Sequence, residues 1–307
     1  DILDGDREVM IAPLPLYHIY AFTVSLVMSD MGHELVLIPN PRDIPGFVKE
    51  LSRHNFTSFA GLNTLFVALC NNKEFTELDF SHLKHTISGG MALTESAAKT
   101  WQKVTGCQVQ EAYGLTETSP AVSFNPYRDI RLGTIGIALS GTQVKVIGAD
   151  GSDLGFNQEG ELCVKGPQVM AGYWQRPEAT AEVIDADGWF KTGDVAILAE
   201  DGFIRLVDRI KDMINVSGFN VYPNEIDDIA SQHPGILECA AVGIPNEVSG
   251  ETVKLFVVKS DPNLTEADVL AHCRENLTGY KVPKEIEFKN ELPKTNVGKI
   301  LRRALRD

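Results

Sequence analysis

Gln110-Glu-Ala-Tyr-Gly-Leu-Thr-Glu-Thr118 follows Val109 and carries a short strand pattern directly into a polar, glycine-containing turn. Open α/β sheets hold ligands at such carboxyl ends of strands. Outward from it, residues 8–115 alternate short apolar runs with amphipathic ones. Val9–Ala12, Glu34–Ile38, Thr57–Ala60, Thr86–Ser88 and Val109–Ala112 read as strands, with helices expected over 19–31, 43–53, 64–71 and 93–104. The alternation predicts an α/β layer with functional loops at its strand ends.

The pattern changes after about residue 130. Thr142–Ile147, Gly160–Lys165 and Val195–Leu198 read as short strands between Gly/Asp turns, and Glu200-Asp-Gly202 has the chemistry of a tight hairpin. From Asp208 onward the expectation is a helix near 224–232, strands near 238–244 and 252–259, and a helix over 265–276 started by Leu264-Thr-Glu-Ala267. The expected domains are therefore 1–130 (α/β), 131–207 (a β subdomain) and 208–307 (α+β).

At 307 residues the chain can bury more than one core, and 43% hydrophobic with 23% charged residues is ordinary for a globular protein. A net charge of −14 argues against nucleic acid as a partner, because phosphate backbones select basic faces. Charge is uneven: residues 1–207 carry 15 basic and 26 acidic side chains, and 208–307 carry 13 and 16. Lys294, Lys299, Arg302, Arg303 and Arg306 form a positive end, read either as a solvated tail or as a surface for phosphates. The five cysteines are scattered, with no CxxC, and support neither a disulfide framework nor a zinc site. The longest apolar run, Ile19 to Met28, is too short to span a bilayer, which takes ~20 residues. The opening residues do not read as a signal peptide. A soluble, cytoplasmic protein is expected, with a peripheral contact on the inner face of the cell membrane left open.

Read with Asp187-Gly-Trp-Phe-Lys-Thr-Gly-Asp194, Val207-Asp-Arg-Ile-Lys211 and Pro293-Lys-Thr-Asn-Val-Gly-Lys299, the opening stretch resembles the signature motifs of the acyl-adenylate-forming (AMP-binding) enzymes. Within that superfamily the wording is similar to the bacterial long-chain fatty acid–CoA ligase branch, over essentially the whole chain. The family's Ser/Thr/Gly-rich phosphate loop is expected upstream of Asp1, so the chain reads as the C-terminal portion of a longer enzyme, itself not fully active. The resemblance implies a truncated α/β adenylating domain, a small β subdomain and a mobile C-terminal α+β domain. It also implies two half-reactions: a fatty carboxylate attacks ATP to give acyl-AMP and pyrophosphate, then CoA takes the acyl group.

Roles follow from the resemblance, beside what each residue type can do. Ser88-Gly-Gly-Met91 is expected along the adenine, making Gly89, Gly90 and Met91 nucleotide contacts; glycines admit close backbone approach. Tyr113 offers a ring face, Gly114 a tight turn, and Thr116 a hydroxyl for the α-phosphate. Glu117 offers a hard carboxylate oxygen for Mg²⁺. Asp194 is expected on the ribose hydroxyls, though an Asx turn accounts for the residue equally simply. Arg209 is expected near ribose and phosphate, and Lys211 at the domain pivot. Asp208 stands where many family members have Gly. Lys299 is the lysine expected to bridge carboxylate and α-phosphate. Gly218, in Val216-Ser-Gly-Phe-Asn-Val-Tyr-Pro223, is expected beside the pantetheine of CoA, and His18, in Pro15-Leu-Tyr-His18, beside the acyl carboxylate. Ile19–Leu26 and Gly61–Phe66 read as an acyl slot or as plain core. The expected small molecules are a fatty acid, ATP, Mg²⁺ and CoA, with a homodimer left open. Rival readings are a ligase for another carboxylic acid in the superfamily, or a non-catalytic nucleotide- or CoA-binding fragment.

Overall fold

The structure, a computed structural model, describes residues 7–306. Its first strands and helices alternate: β1 (Val9–Ala12), α1 (Ile19–Asp30), β2 (Glu34–Leu37), α2 (Ile44–Leu51), β3 (Ser58–Gly61), α3 (Asn63–Cys70), α4 (Lys73–Thr76), β4 (His85–Ser88), α5 (Glu95–Thr105) and β5 (Val109–Gly114). β6 (Ala121–Phe124) and β7 (Ile137–Ala138) complete a seven-stranded sheet of order β2-β1-β3-β4-β5-β6-β7. β1 to β5 run parallel, and β6 and β7 are antiparallel additions at one edge. Strand order reverses at β1 and β3, the arrangement that opens a crevice at the carboxyl ends of a doubly wound sheet.

A fused aromatic group holds one side of this sheet. Phe59, Phe66, Phe75 and Trp101 are fully buried, with Phe66 and Trp101 ring centroids 4.7 Å apart. The Trp101 indole N–H donates to Thr86 Oγ1 at 3.0 Å, which fixes α5 against β4. Phe66, Leu65 and Leu62 are spent here, so the Gly61–Phe66 segment is core. On α1, by contrast, Phe22, Leu26 and Val27 are exposed.

A four-stranded sheet of order β11-β10-β9-β8 follows, from β8 (Gln143–Ile147), β9 (Glu159–Lys165), β10 (Phe190–Leu198) and β11 (Ile204–Arg209), with α6 (Pro177–Val183) between β9 and β10. The expected hairpin forms: Gly202 sits at φ +89, and Ala199 and Phe203 pair across the turn. β10 is longer than expected because Lys191-Thr-Gly-Asp194, read as a turn, is strand. Gly193 at φ +72 kinks that strand.

The third sheet contains β12 (Ile214–Val216), β13 (Phe219–Val221), β14 (Ile236–Asn246), β15 (Gly250–Lys259) and β16 (Glu285–Lys289). α7 (Pro223–Ser231) and α8 (Glu266–Asn276) contribute to a core with Ile226, Val253, Leu255 and Val269. Thr265 caps α8 as its sequence suggests, accepting from the Asp268 N–H at 3.2 Å while Asp268 accepts from the Thr265 N–H at 3.0 Å. A separate cluster joins Ala240, Val242, Phe256 and Val258 to Leu292 and Leu305 of the C-terminal segment. The chain divides into two compact units. One holds the described residues through Leu93, with Ala97–Thr192 and Ala196–Leu206; the other holds Thr94–Ser96, Gly193–Val195 and the described residues from Val207 on.

Candidate functional site

The topology of the first unit brings four of the expected segments to the carboxyl ends of neighbouring strands. Pro15–His18 follows β1, Gly61–Phe66 starts at the last residue of β3, Gly89-Gly90 follows β4, and Tyr113–Glu117 ends β5. His18 is the N-cap of α1, its Nδ1 accepting from the Tyr20 N–H at 3.3 Å. Tyr20 ties that helix start to β4: its hydroxyl donates to the Ile87 carbonyl at 3.1 Å, and burial pushes its phenol well above the ordinary tyrosine range. A Cβ on Gly89 would lie 3.3 Å from the Tyr20 ring, and Gly90 sits at φ +86, so each glycine of the Gly89-Gly90 pair has its own steric reason.

The Tyr113–Glu117 turn is held from inside. Thr118 is fully buried; its hydroxyl accepts from the Leu115 N–H at 3.0 Å and contacts the Leu115 and Pro120 carbonyls. Thr116 is left exposed at the start of the short 3-10 turn. Gly114 has a structural cause of its own, because a Cβ there would come within 1.9 Å of the Pro120 carbonyl oxygen. Tyr113 is largely buried and packs with Val122, Ile135, Val146 and Leu162.

Glu117 is half-buried, and its backbone carbonyl accepts from the Met170 N–H at 2.8 Å. The Tyr173 hydroxyl donates to its Oε1 at 2.9 Å, and burial followed by that bond raises the Tyr173 phenol above its ordinary value. Among the described residues no group of three or more His, Cys, Asp or Glu forms a metal cage. A single half-buried carboxylate suits Mg²⁺, which commonly binds one or two carboxylates and completes its shell with water and substrate phosphates. Reading the sequence did not single out Tyr173; its Gly172-Tyr-Trp174 context was the available signal, but the partner lies 56 positions away.

In the second unit, Asp194 is buried beside Arg209, whose Nε lies 3.3 Å from Asp194 Oδ1, so two residues expected at the ribose are adjacent. Lys211 is exposed in the short turn Ile210–Asp212. Asp208 is buried; its Oδ1 accepts from the Arg209 N–H at 2.7 Å and its Oδ2 from the Asn224 N–H at 2.8 Å. It therefore serves as a distant cap for the first turn of α7. Burial lifts its carboxyl to about 6 against those two bonds.

Gly218 lies at φ +87 and Ser217 at φ +53, and together they form the two-residue turn joining β12 to β13. Both central residues of such a turn need positive φ, which accounts for the glycine. The Gly218 N–H donates to Asn215 Oδ1 at 2.9 Å.

Lys299 lies on the second arm of a tight hairpin, just after its turn. Thr295 N–H donates to the Lys299 carbonyl at 2.8 Å, Gly298 closes the turn at φ +84, and the Lys299 N–H donates to Thr295 Oγ1 at 3.2 Å. Burial, then the Arg209 charge, holds the Lys299 ammonium below the usual lysine range. Three of the five cations at the positive end are paired within the protein. Lys294 pairs with Glu238 at 2.7 Å, Arg302 with Asp227 at 2.7 Å and Arg306 with Asp212 at 3.1 Å.

A doubly wound sheet with polar, glycine-containing loops at the carboxyl ends of its parallel strands is an architecture that places ligands at those ends. The AMP-binding enzyme model matches residues 2–174 and the AMP-binding enzyme C-terminal domain model residues 225–299, and the chain belongs to this family. It is 56% identical over 308 residues to the long-chain-fatty-acid–CoA ligase of Escherichia coli O6:H1, covering 100% of this chain and 55% of that protein. It is 55% identical over 303 residues to the enzyme of the same name from Haemophilus influenzae, covering 98% of this chain and 54% of that one. Among solved structures it resembles ATP-bound MatB from Rhodopseudomonas palustris (TM-score 0.88, 32% identity, 98% of this chain and 60% of the other). It also resembles the anthranilate CoA ligase AuaEII in complex with anthranoyl-AMP (TM-score 0.91, 28% identity, 97% of this chain and 59% of the other). The chain spans about 55% of the length of the curated relatives it matches.

Proposed function

We propose that the protein to which this chain belongs activates a long-chain fatty acid with ATP and transfers it to CoA, releasing AMP and pyrophosphate. The observation that carries this reading is 56% identity, sustained over the whole chain, to a long-chain-fatty-acid–CoA ligase. In the first half-reaction a carboxylate oxygen bonds to the α-phosphorus of ATP and the bond to pyrophosphate breaks. Two anions must meet, and Lys299 is the ammonium assigned to that encounter. Glu117 would hold Mg²⁺, which when bound neutralises charge on the phosphates; Tyr173 occupies one carboxylate oxygen and leaves the other for the cation. Asp194 and Arg209 are assigned to the ribose side, Thr116 to the α-phosphate, and Gly89, Gly90, Met91, Tyr113 and Gly114 to the wall along the nucleotide. His18 is assigned to the acyl side. In the second half-reaction the CoA sulfur attacks the acyl carbonyl and AMP leaves, with Gly218 beside the pantetheine arm and Lys211 as the hinge between the two states.

A division into 1–130, 131–207 and 208–307 goes with this reading. So do a peripheral contact with the inner face of the membrane and a homodimer, tested by vesicle flotation and sedimentation velocity. Among the described residues no helix is long and apolar enough to cross a membrane. The deciding experiment is ATP–pyrophosphate exchange in the full-length protein with a panel of acids. Exchange dependent on a long-chain fatty acid supports the reading. Exchange with an aromatic acid instead moves the protein toward ligases like the anthranilate enzyme it resembles, and no exchange with any acid leaves a nucleotide-binding protein.

A further inference from the structure

Arg302 is the unexpected member of the positive C-terminal end, because its guanidinium is largely buried, with 16% of the side chain exposed. It donates to the Ala241 carbonyl on β14 at 2.9 Å, to Asn224 Oδ1 on α7 at 2.8 Å and to Asp227 Oδ2 on α7 at 2.7 Å. Asp227 in turn accepts from the Ala241 N–H at 2.7 Å through its other oxygen. One guanidinium thus joins the C-terminal segment, a helix and a strand of the same unit. Such forked pairing is geometrically demanding, and lysine cannot reproduce it.

The segment so fixed is the one that carries Lys299. Leu292 before the hairpin and Leu305 after it are buried against Ala240, Val242, Phe256 and Val258, with Ile300 packed alongside. Lys294 and Ile300 pair across the hairpin, and the Leu301 N–H donates to the Pro293 carbonyl at 2.8 Å. Apolar contacts hold the segment to the sheet but set its register loosely, whereas a three-way hydrogen-bonded cation sets both register and direction. A reacting group must be held within ~0.5 Å of its working position.

We propose that Arg302, through Asp227, Asn224 and Ala241, is a positioning residue for Lys299 in acyl-AMP formation. This rests on the role assigned to Lys299 above. The test uses two variants of the full-length protein. Arg302→Lys keeps a cation beside Asp227 but loses the fork. Arg302→Met combined with Asp227→Leu replaces the pair by apolar groups, a change that buried ion pairs often tolerate. Circular dichroism checks folding, and each half-reaction is measured separately. In the folded variants acyl-AMP formation is expected to fall on the order of 10- to 100-fold, as misplacement by about 1 Å can cost. Thioester formation from supplied acyl-AMP should stay within roughly threefold, because that step does not call on Lys299. The alkaline limb of the adenylation pH profile should also rise as Lys299 leaves its half-buried seat. Full adenylation in either folded variant, or equal loss in both half-reactions, overturns the proposal. Lys299→Ala, run in parallel, separates the two ideas. If it leaves adenylation intact the role of Lys299 falls, and if it abolishes adenylation while both Arg302 variants retain it, only the positioning role falls.

Discussion

At the scale of single residues, the informative quantities are which charges are satisfied and which are left to do work. Lys299 lies in a half-buried seat near Arg209, and burial followed by that like charge lowers its proton affinity. Its ammonium is therefore lost at lower pH than an ordinary lysine's, so acyl-AMP formation should decline on the alkaline side earlier than a solvated lysine would allow. Lys299→Ala should cost on the order of 10²-fold or more in acyl-AMP formation and little in thioester formation from supplied acyl-AMP. Arg209→Gln removes the repelling charge, so its residual activity should show the alkaline limb moved upward; an unchanged limb means the lysine is not the titrating group. Glu117 poses a different question. Glu117→Gln keeps the bond from Tyr173 but removes the charge a hard cation wants, so the Mg²⁺ needed for half-maximal adenylation should rise several-fold while AMP affinity changes little. If AMP affinity collapses at unaltered Mg²⁺ dependence, Glu117 is a nucleotide contact.

At the scale of elements, two turns show structure and candidate site competing for the same residue. Gly114 ends β5 where a Cβ would meet the Pro120 carbonyl oxygen at 1.9 Å. Gly114→Ala should therefore lower unfolding free energy by about 2 kcal/mol or more through forced backbone displacement. A melting curve unchanged beside lost AMP binding would instead give the glycine to the ligand. Asp208 caps α7 from a buried position with its carboxyl lifted to about 6. A folded value above the ordinary carboxyl value of ~3.9 means that folding takes up a proton between the two. The stability contributed is full below about pH 4 and is lost as pH rises through about 6, on the order of 2–3 kcal/mol. Denaturant titrations of wild type and Asp208→Asn at pH 4 and 7 should show that difference, and a pH-independent difference means the carboxyl is unperturbed. These cases mark what a sequence can carry. Strand β1 was legible because burial on both faces leaves an unbroken apolar run, Val9–Ala12, ahead of Pro13. β12, β13 and β16 were not, since each is short and half-exposed, and the Ser217-Gly218 turn was read for a ligand before its hairpin was seen. Arg302 was misread because its partner Asp227 is 75 positions away, and no local pattern encodes such a pairing.

At the scale of the whole molecule, the two units carry different shares of the candidate chemistry, which makes the 307-residue polypeptide a test object in its own right. In the proposed assignment the loops after β4 and β5 of the first unit take the adenine and α-phosphate, and the Asp194–Arg209 pair of the second unit takes the ribose. Holding the β- and γ-phosphates of ATP takes a cradle of successive backbone N–H donors, normally from a glycine-rich loop leading into a helix. Among the described residues the nearest composition is Ser88-Gly-Gly-Met91, whose Gly89 is already closed over the Tyr20 ring, and Gly151-Ser-Asp-Leu-Gly155, which sits in turns after β8. The matched relatives extend well beyond the aligned region, since this chain covers 55% of the Escherichia coli ligase. The isolated polypeptide is therefore expected to bind AMP or an acyl-AMP weakly while giving no fatty-acid-dependent exchange of pyrophosphate into ATP. Exposed Phe22, Leu26 and Val27 on α1 add that it should self-associate or bind a hydrophobic dye, and the double change Phe22→Ser with Leu26→Ser should relieve this. Calorimetry with AMP at millimolar concentration and exchange with oleate decide the matter together. Exchange above background that disappears in Lys299→Ala means the phosphate cradle is dispensable. Absence of any heat with AMP means that the groups gathered at the strand ends do not make a site by themselves.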